Sequence, residues 1–283
     1  MVIRDFGGGF YGRVFLAEWD QFPYQVIVKF YLKDGLCTRE KLQLEELRKH
    51  ALLKVPGIYG MHQSNEQIPY DALLMEYVEG KNAGVIECDQ ANKEVIANQI
   101  VDNLIAIHSY VHEEGFGELN DTIFHRDWQS YYKPIAKNIV EGAEALYEKK
   151  SISEKCIETV RIAYQNFDEI FSLPIIEASL IHGDYNNWNI MLDTEEKNAI
   201  AVIDPYNCSF ADPEYDLYQL NNANGKEYGL LDLYESKCTL SPNWRVKIAF
   251  YELFSELMHY YNSGVMPNIE ALDQEAEQLR KQM

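Results

Sequence analysis

Leu180 to Leu192 reads L-I-H-G-D-Y-N-N-W-N-I-M-L, and Ala201 to Pro205 reads A-V-I-D-P. Between the apolar runs stand His182, Gly183, Asp184 and, five residues on, Asn189; Asp204 follows fifteen residues later. A lone aspartate in a loop is ordinarily a turn residue. The ordered set aspartate–asparagine–aspartate is different, because phosphoryl transfer needs those three groups. One carboxylate orients an attacking hydroxyl and accepts its proton, while an amide oxygen and a second carboxylate hold Mg²⁺, a hard ion that takes oxygen ligands. Asp184 is therefore the candidate catalytic residue, and Asn189 and Asp204 are the candidate metal ligands. The flanking runs S-L-I, I-M-L and A-V-I predict strands that hold the loop rigid, with S-L-I-H-G and A-I-A-V-I-D-P expected as a β-hairpin around it. No second His or Cys lies at ligand spacing from His182, so that ring is assigned to fixing the loop by hydrogen bonds to backbone.

Working back toward the N-terminus, G-G-G-F-Y-G-R-V fits G-x-G-x-x-G-x-V with Gly7, Gly9, Gly12 and Val14. A strand pattern, V-F-L-A-E-W, follows these glycines, where a dinucleotide-binding fingerprint would need a helix. Strand, glycine turn, strand is the layout of a phosphate flap, whose glycines let backbone N–H groups approach phosphate oxygens. Fifteen residues past Val14, Lys29 interrupts the apolar run V-I-V-K-F. An ammonium there is costly to bury without a partner, which marks it as a phosphate-binding candidate paired to a helix glutamate. Glu40 is the preferred partner and Glu45 the second choice.

The rest of the chain reads as a β-rich start followed by helices. Thr38 is expected to cap a helix that stops at Pro56-Gly57, and Y-D-A-L-L-M-E-Y-V is an apolar strand closed by E-G-K-N, the expected hinge. Helices are predicted over residues 91–110, 128–149 and 153–171, and again from Pro213 onward. The fold class is α+β, a two-lobed protein-kinase-like fold with a small antiparallel sheet and one helix in the N-lobe and a larger, mainly helical C-lobe. The domains follow: 1–79, a nucleotide-binding lobe including the hinge, and 80–283, a helical lobe with the catalytic loop and substrate pocket. His125-Arg126-Asp127 spells the protein-kinase triplet HRD, yet Tyr132 stands where its asparagine would be needed. Asp127 is read instead as the start of a helix.

The formal net charge of -20 argues against nucleic acid and anionic membrane surfaces as partners and favours cationic ligands. No apolar run suits a membrane span, and the first residues, M-V-I-R-D-F-G-G-G-F, lack a secretory pattern. Five scattered cysteines, Cys37, Cys88, Cys156, Cys208 and Cys238, are expected as free thiols of a cytoplasmic protein.

Taken together, G-x-G-x-x-G-x-V, Lys29, L-L-M-E-Y-V-E-G, L-I-A-I-H-S-Y, H-G-D-Y-N-N-W-N, V-I-D-P and A-D-P-E-Y-D-L resemble the aminoglycoside phosphotransferase and choline kinase-like superfamily. Protein kinases carry Arg where Gly183 stands. The resemblance implies ATP and Mg²⁺ as cofactors, Asp184 as base, Asn189 and Asp204 on the metal, and Lys29 on the phosphates. It also implies adenine at the hinge backbone of Glu76, Tyr77 and Val78, with Asp212 and Asp216 in structural roles. The implied substrate is a small hydroxyl compound, cationic or sugar-like. Phe116-Gly117, Asp127-Trp128 and Tyr131-Tyr132 further resemble a segment of the fructosamine kinases. Those carry Trp two residues after the catalytic aspartate, where this chain has Asn186 and places its tryptophan at Trp188. A kinase of the aminoglycoside type, a fructosamine or ketoamine kinase proper, and a non-catalytic nucleotide-binding pseudokinase are the readings carried forward. Asp232, Glu235, Glu252 and Glu256 are candidate amine contacts, against the alternative that they form solvated helix faces.

Overall fold

The chain was analysed as a computed structural model, which describes all residues except Phe10, Cys88 and Asp89. The thiol expected at Cys88 lies outside the described residues; Cys37, Cys156, Cys208 and Cys238 form no disulfide among the described residues. In chain order the elements are β1 (Val2–Gly8), β2 (Gly12–Glu18), β3 (Gln25–Tyr31), α1 (Leu36–His50), β4 (Ile58–His62), β5 (Ala72–Glu76) and β6 (Lys81–Asn82). They continue with α2 (Lys93–His108), β7 (Gly117–Glu118), α3 (Trp128–Glu148), α4 (Glu154–Gln165), α5 (Phe167–Ile170) and β8 (Ser179–Leu180). The last are β9 (Ile190–Leu192), β10 (Ala199–Val202), β11 (Ser209–Ala211), α6 (Gly225–Tyr228), α7 (Leu230–Lys237), α8 (Trp244–Ser263) and α9 (Ile269–Gln282). The fold is α+β, with an antiparallel sheet in the N-terminal region and helices dominating the C-terminal region.

By packing, the described residues form two compact units: Met1–Ile107 with His182–Cys208 and Asn222–Leu230, and His108–Ile181 with Ser209–Asn221 and Leu231–Met283. These are packing divisions. The lobes 1–79 and 80–283 of the sequence reading are functional ones, taken up again below.

In the first unit the sheet order is β1-β2-β3-β5-β4, antiparallel throughout. Val14 lies opposite Lys29, which lies opposite Leu73, so the ammonium shares a sheet face with two apolar side chains. Helix α1 covers β3 and β5 with Leu44 and Leu47, each 1% exposed. Burial of a leucine to that degree contributes roughly 1.5–3 kcal/mol. The helix begins at Leu36, after Gly35 at φ 82°, and Thr38 sits inside its first turn rather than capping it. A left-handed glycine turns the chain sharply enough to start the helix early. It stops at His50, before Pro56, because Ala51 turns extended and the next two amides leave the helix: Leu52 N and Leu53 N donate to Asn103 Oδ1 at 2.8 and 2.7 Å.

A second sheet of this unit has the order β10-β9-β6, with Val202 opposite Ile190 and Lys81 opposite Leu192. The expected hairpin between S-L-I and A-V-I is therefore corrected. I-M-L is itself the partner of A-I-A-V, joined by a turn in which Asp193 accepts from Lys197 N and Asn198 Nδ2, both at 2.8 Å. Ser179–Leu180 pairs instead with β11, in the other unit.

The second unit holds a small β7-β11-β8 sheet and the helices α3, α4, α8 and α9. Helix α3 starts where the HRD look-alike ends: Asp127 caps it by accepting from Ser130 N at 2.8 Å. The core here is aromatic. Trp128 stacks on Tyr132 at 4.9 Å, and Tyr251 and Phe250 meet the same ring edge-on. Lys247, 2% exposed, is neutralised by Asp212 at 2.6 Å and Glu214 at 2.7 Å. Asp216 lies 3.2 Å from His108 Nε2, and the other ring nitrogen, Nδ1, lies 2.8 Å from the Tyr234 hydroxyl. Asp212 and Asp216 thus tie helices together in this unit. Among the described residues, no helix is long and apolar enough to cross a membrane.

Candidate active site

The catalytic loop is built around one carboxylate. Asn186 Nδ2 donates to Asp184 Oδ1 and Asn189 Nδ2 to Asp184 Oδ2, each at 2.8 Å. Asn189 Nδ2 also reaches the Asp184 carbonyl at 2.8 Å. Both amides present their NH₂ groups to the carboxylate oxygens, so their carbonyl oxygens face elsewhere. Asn186 Oδ1 accepts from Trp188 N at 2.9 Å and caps a single 3₁₀ turn, Asn187–Asn189. The buried His182 ring receives Asp184 N at 3.3 Å through Nδ1, in line with its expected backbone-fixing role.

The second carboxylate comes close through a strand bond. Ile203 N donates to Asn189 O at 2.9 Å, which sets Asp204 next to the end of the loop. Asp204 has φ 56°, a left-handed conformation that aspartate tolerates better than most side chains and that costs of order 1–3 kcal/mol. Its carboxylate is 54% exposed and contacts Lys29 Nζ. Lys29 also holds Glu40 at 2.7 Å. Burial disfavours the ammonium, but the Asp204 and Glu40 charges and hydrogen bonds outweigh it and hold the Lys29 pKa above the ordinary lysine value. Glu45, the other candidate partner, pairs with Lys41 at 2.8 Å instead.

Helix α1 supplies more than Glu40. Gln43 Nε2 donates to the carbonyls of Tyr206 and Cys208 at 3.1 and 3.3 Å, and Arg39 reaches Asn207 Oδ1 at 3.3 Å. The segment so held lies hard against Gly183: a Cβ there would sit 2.4 Å from Asn207 C, and φ is +79°. At the flap, Gly7 has φ +86°, and a Cβ on Gly12 would meet Phe30 O at 2.7 Å. Gly9 is sterically open, and the neighbouring Tyr11 ring stacks on Tyr206 at 5.3 Å.

A cavity of about 270 Å³ lies in this unit. Val14, Ile27, Met75, Met191 and Ile203 give it apolar walls; Lys29, Glu40, Glu76 and Asp204 are its charged lining. Tyr77 and Val78 line it as well. The Glu76 side chain is engaged by Lys54 at 2.6 Å and Gly57 N at 3.2 Å; burial raises its pKa, but those contacts bring it below the usual carboxylate range. Its own N–H donates to Gly57 O at 2.7 Å.

The structure therefore brings Lys29, Glu40 and Asp204 into direct contact, and joins Asp184 to Asn189. The candidate amine contacts lie in the second unit. Asp232 is exposed and Glu235 pairs with Arg245 at 3.3 Å. Glu252 and Glu256 are partly buried, not solvated, and they influence Glu275 on α9. Burial and then the Glu256 charge push Glu252 up to about 7. Burial and then Glu256 and Glu252 push Glu275 up to about 8. Sequence reasoning passed over Asn186, Gln43 and Asn103. For Asn103, a lone amide on the apolar stripe of α2, the signal was present in the sequence.

The phosphotransferase enzyme family matches residues 2–230. The uncharacterized protein YcbJ of Escherichia coli (strain K12) is 21% identical over 248 residues, covering 86% of this chain and 80% of that one. Ketosamine-3-kinase of Mus musculus is 21% identical over 230 residues, covering 81% and 68%. Among solved structures, a thermostable mutant of an aminoglycoside phosphotransferase, in ternary complex with ADP and hygromycin B, aligns with TM-score 0.74 at 14% identity over 99% of this chain and 94% of that one. An ADP-bound aminoglycoside 2″-phosphotransferase aligns with TM-score 0.64 at 17% identity over 100% and 93%. At such identities these two structures establish the aminoglycoside kinase-like fold, while the family match spans most of the chain. The chain belongs to the phosphotransferase enzyme family.

Proposed function

We propose that the chain is an ATP-dependent kinase that phosphorylates a hydroxyl of a small amine-bearing or sugar-like molecule. The observation that carries this reading is one connected path: Asp184 held by Asn189, Asn189 bonded through its backbone to Ile203, and Asp204 in contact with the Lys29–Glu40 pair. In this reading residues 1–79 form the nucleotide lobe and hinge, and 80–283 carry the catalytic loop and substrate pocket.

The donor set suits magnesium. Asn189 turns its amide nitrogen to Asp184, leaving a carbonyl oxygen for a cation, and Asp204 adds a half-exposed carboxylate. One or two protein oxygens with phosphate oxygens and water completing the shell is the usual arrangement for this ion. Bound Mg²⁺ would neutralise charge on the transferring phosphoryl group. Lys29 stays protonated and binds phosphate oxygens, with Glu40 keeping its Nζ in place. Gly7, Gly9, Gly12 and Val14 cover the phosphates. Glu76, Tyr77 and Val78 border the base, with Tyr77 and Val78 offering hinge backbone to it. Asp184 takes the proton of the acceptor hydroxyl as that oxygen bonds to the γ-phosphorus and the bond from that phosphorus to ADP breaks.

Ketosamine-3-kinase among the relatives and the Phe116-Gly117 and Asp127-Trp128 segment favour a ketoamine as acceptor, as a second reading. The hygromycin B, gentamicin and kanamycin complexes of the structural neighbours keep aminoglycosides on the panel. The acidic balance of the chain suits either amine-bearing class. The test is a screen of ketoamines, aminoglycosides and choline-like alcohols with Mg·ATP, read by mass for added phosphate. Transfer to one class, lost in Asp184→Asn with ATP affinity retained, is the expected result. Tight ATP binding with no transfer and no hydrolysis would instead establish a nucleotide-binding module.

A further inference from the structure

The family motif leaves position 186 unassigned, yet the structure gives that side chain a defined task. Asp184 has a separate amide on each carboxylate oxygen, Asn186 on Oδ1 and Asn189 on Oδ2. The two amides are not equivalent. Asn189 divides its donor between the carboxylate and the Asp184 carbonyl at 2.8 Å each, and in the kinase reading its other end faces the cation. Asn186 Nδ2 comes only within 3.5 Å of that carbonyl, and the residue is anchored by local backbone: its Oδ1 receives Trp188 N at 2.9 Å, and its own N–H donates to Asp184 O at 3.0 Å. The side chain is 8% exposed and caps the turn at φ −122°, ψ 169°. Its amide plane is therefore set by the loop, with the NH₂ directed at Asp184 and nearest to Oδ1. Rotation of a carboxylate about its last bond moves both oxygens, so with a donor on each it breaks two hydrogen bonds instead of one.

We infer that Asn186 is a positioning residue, which fixes the rotation of the Asp184 carboxylate independently of whatever Asn189 coordinates. This rests on the kinase reading for its catalytic consequence but not for its structural one. A base misplaced by about 1 Å costs on the order of 100-fold in rate, so the grip is worth a measurable part of turnover.

Two substitutions separate the grip from the turn cap. Asn186→Ser keeps a side-chain oxygen for Trp188 N but cannot reach Asp184; Asn186→Leu loses both. Turnover is followed with the acceptor found in the screen, or as Mg·ATP hydrolysis, alongside ATP affinity, thermal midpoint and a high-resolution crystal structure of each variant. Expected for Asn186→Ser is a wild-type thermal midpoint, ATP affinity and KM within twofold, kcat down about 10- to 100-fold, and an Asp184 carboxylate rotated or split between conformers. Wild-type kcat with Asp184 unmoved in Asn186→Ser, and loss of both stability and activity only in Asn186→Leu, would reduce Asn186 to a turn cap and overturn the inference. A wild-type chain that binds ATP without turnover, while Asp184 rotates in Asn186→Ser, would remove the kinase reading and uphold the positioning role.

Discussion

Lys29 Nζ lies 2.7 Å from a Glu40 carboxylate oxygen, with only 13% and 9% of the two side chains exposed. Such a pair adds little over an apolar replacement, but removal of one partner strands the other's charge. Lys29→Met is expected to cost about 3 kcal/mol of stability. The double substitution Lys29→Met/Glu40→Gln should regain at least half of that loss. Urea unfolding midpoints of the single and double variants close the cycle; additive losses would show that the pair is not coupled.

Asp204 is half-exposed and lines the cavity, so its loss should spare the fold. Asp204→Ala is expected to reduce ATP affinity in the presence of Mg²⁺ by at least about tenfold, and to abolish the difference between titrations with magnesium and with EDTA. Calorimetric titration under both conditions is the measurement. An unchanged magnesium dependence would mean that other oxygens hold the ion.

The partly buried carboxyls of α8 and α9 set a pH dependence. Glu252 and Glu275 keep their protons in the folded chain up to about 7 and about 8. In the unfolded chain they release them near the ordinary carboxyl value. The folded state then binds more protons between those limits, so this stabilisation is complete below the ordinary carboxyl value and is lost as pH rises from there to about 7 and about 8, with no further loss above. Glu256 is raised in the same direction by burial, whereas burial lowers His259, whose effect has the opposite sign and is complete above neutrality. The thermal midpoint should therefore fall between about pH 5 and about pH 8, and Glu275→Gln should flatten that fall and gain roughly 2 kcal/mol at the alkaline end. A midpoint that is level across this range in the wild type would contradict it.

Tyr132 packs in the aromatic core with 3% exposure, and its hydroxyl finds no hydrogen-bond partner among the described residues. Removing a buried, unpaired hydroxyl relieves a desolvation cost, so Tyr132→Phe should stabilise the chain by about 1 kcal/mol. Thermal unfolding decides it. A loss of similar size would point to a water bonded at that oxygen.

Much of this was legible in the chain itself, and the reasons differ by element. Strands β2, β3 and β5 announced themselves through β-branched runs, and Lys29 through its cost in such a run. Glu40 was preferred over Glu45 from spacing alone, and its contact with Lys29 agrees. The β9–β10 hairpin was misread because three apolar runs offered three possible pairings, and only tertiary packing chose between them. Thr38 looked like a cap, but Gly35 took a left-handed backbone that no local pattern required. Asn186 and Gln43 were hidden for another reason. The role of each depends on which carboxylate or carbonyl the fold brings to it, and no local pattern states that.

Gly183 closes one evolutionary door. With Asn207 backbone at 2.4 Å from where a β-carbon would sit, the arginine found at this place in protein kinases has no room unless residues 206–208 move away. Those residues are tied to α1 by Gln43, and α1 carries Glu40. A chain that exchanged glycine for arginine here would have to re-route residues 206–208 and re-seat α1 in the same step. Saturation mutagenesis of this codon should accordingly return glycine alone among active clones.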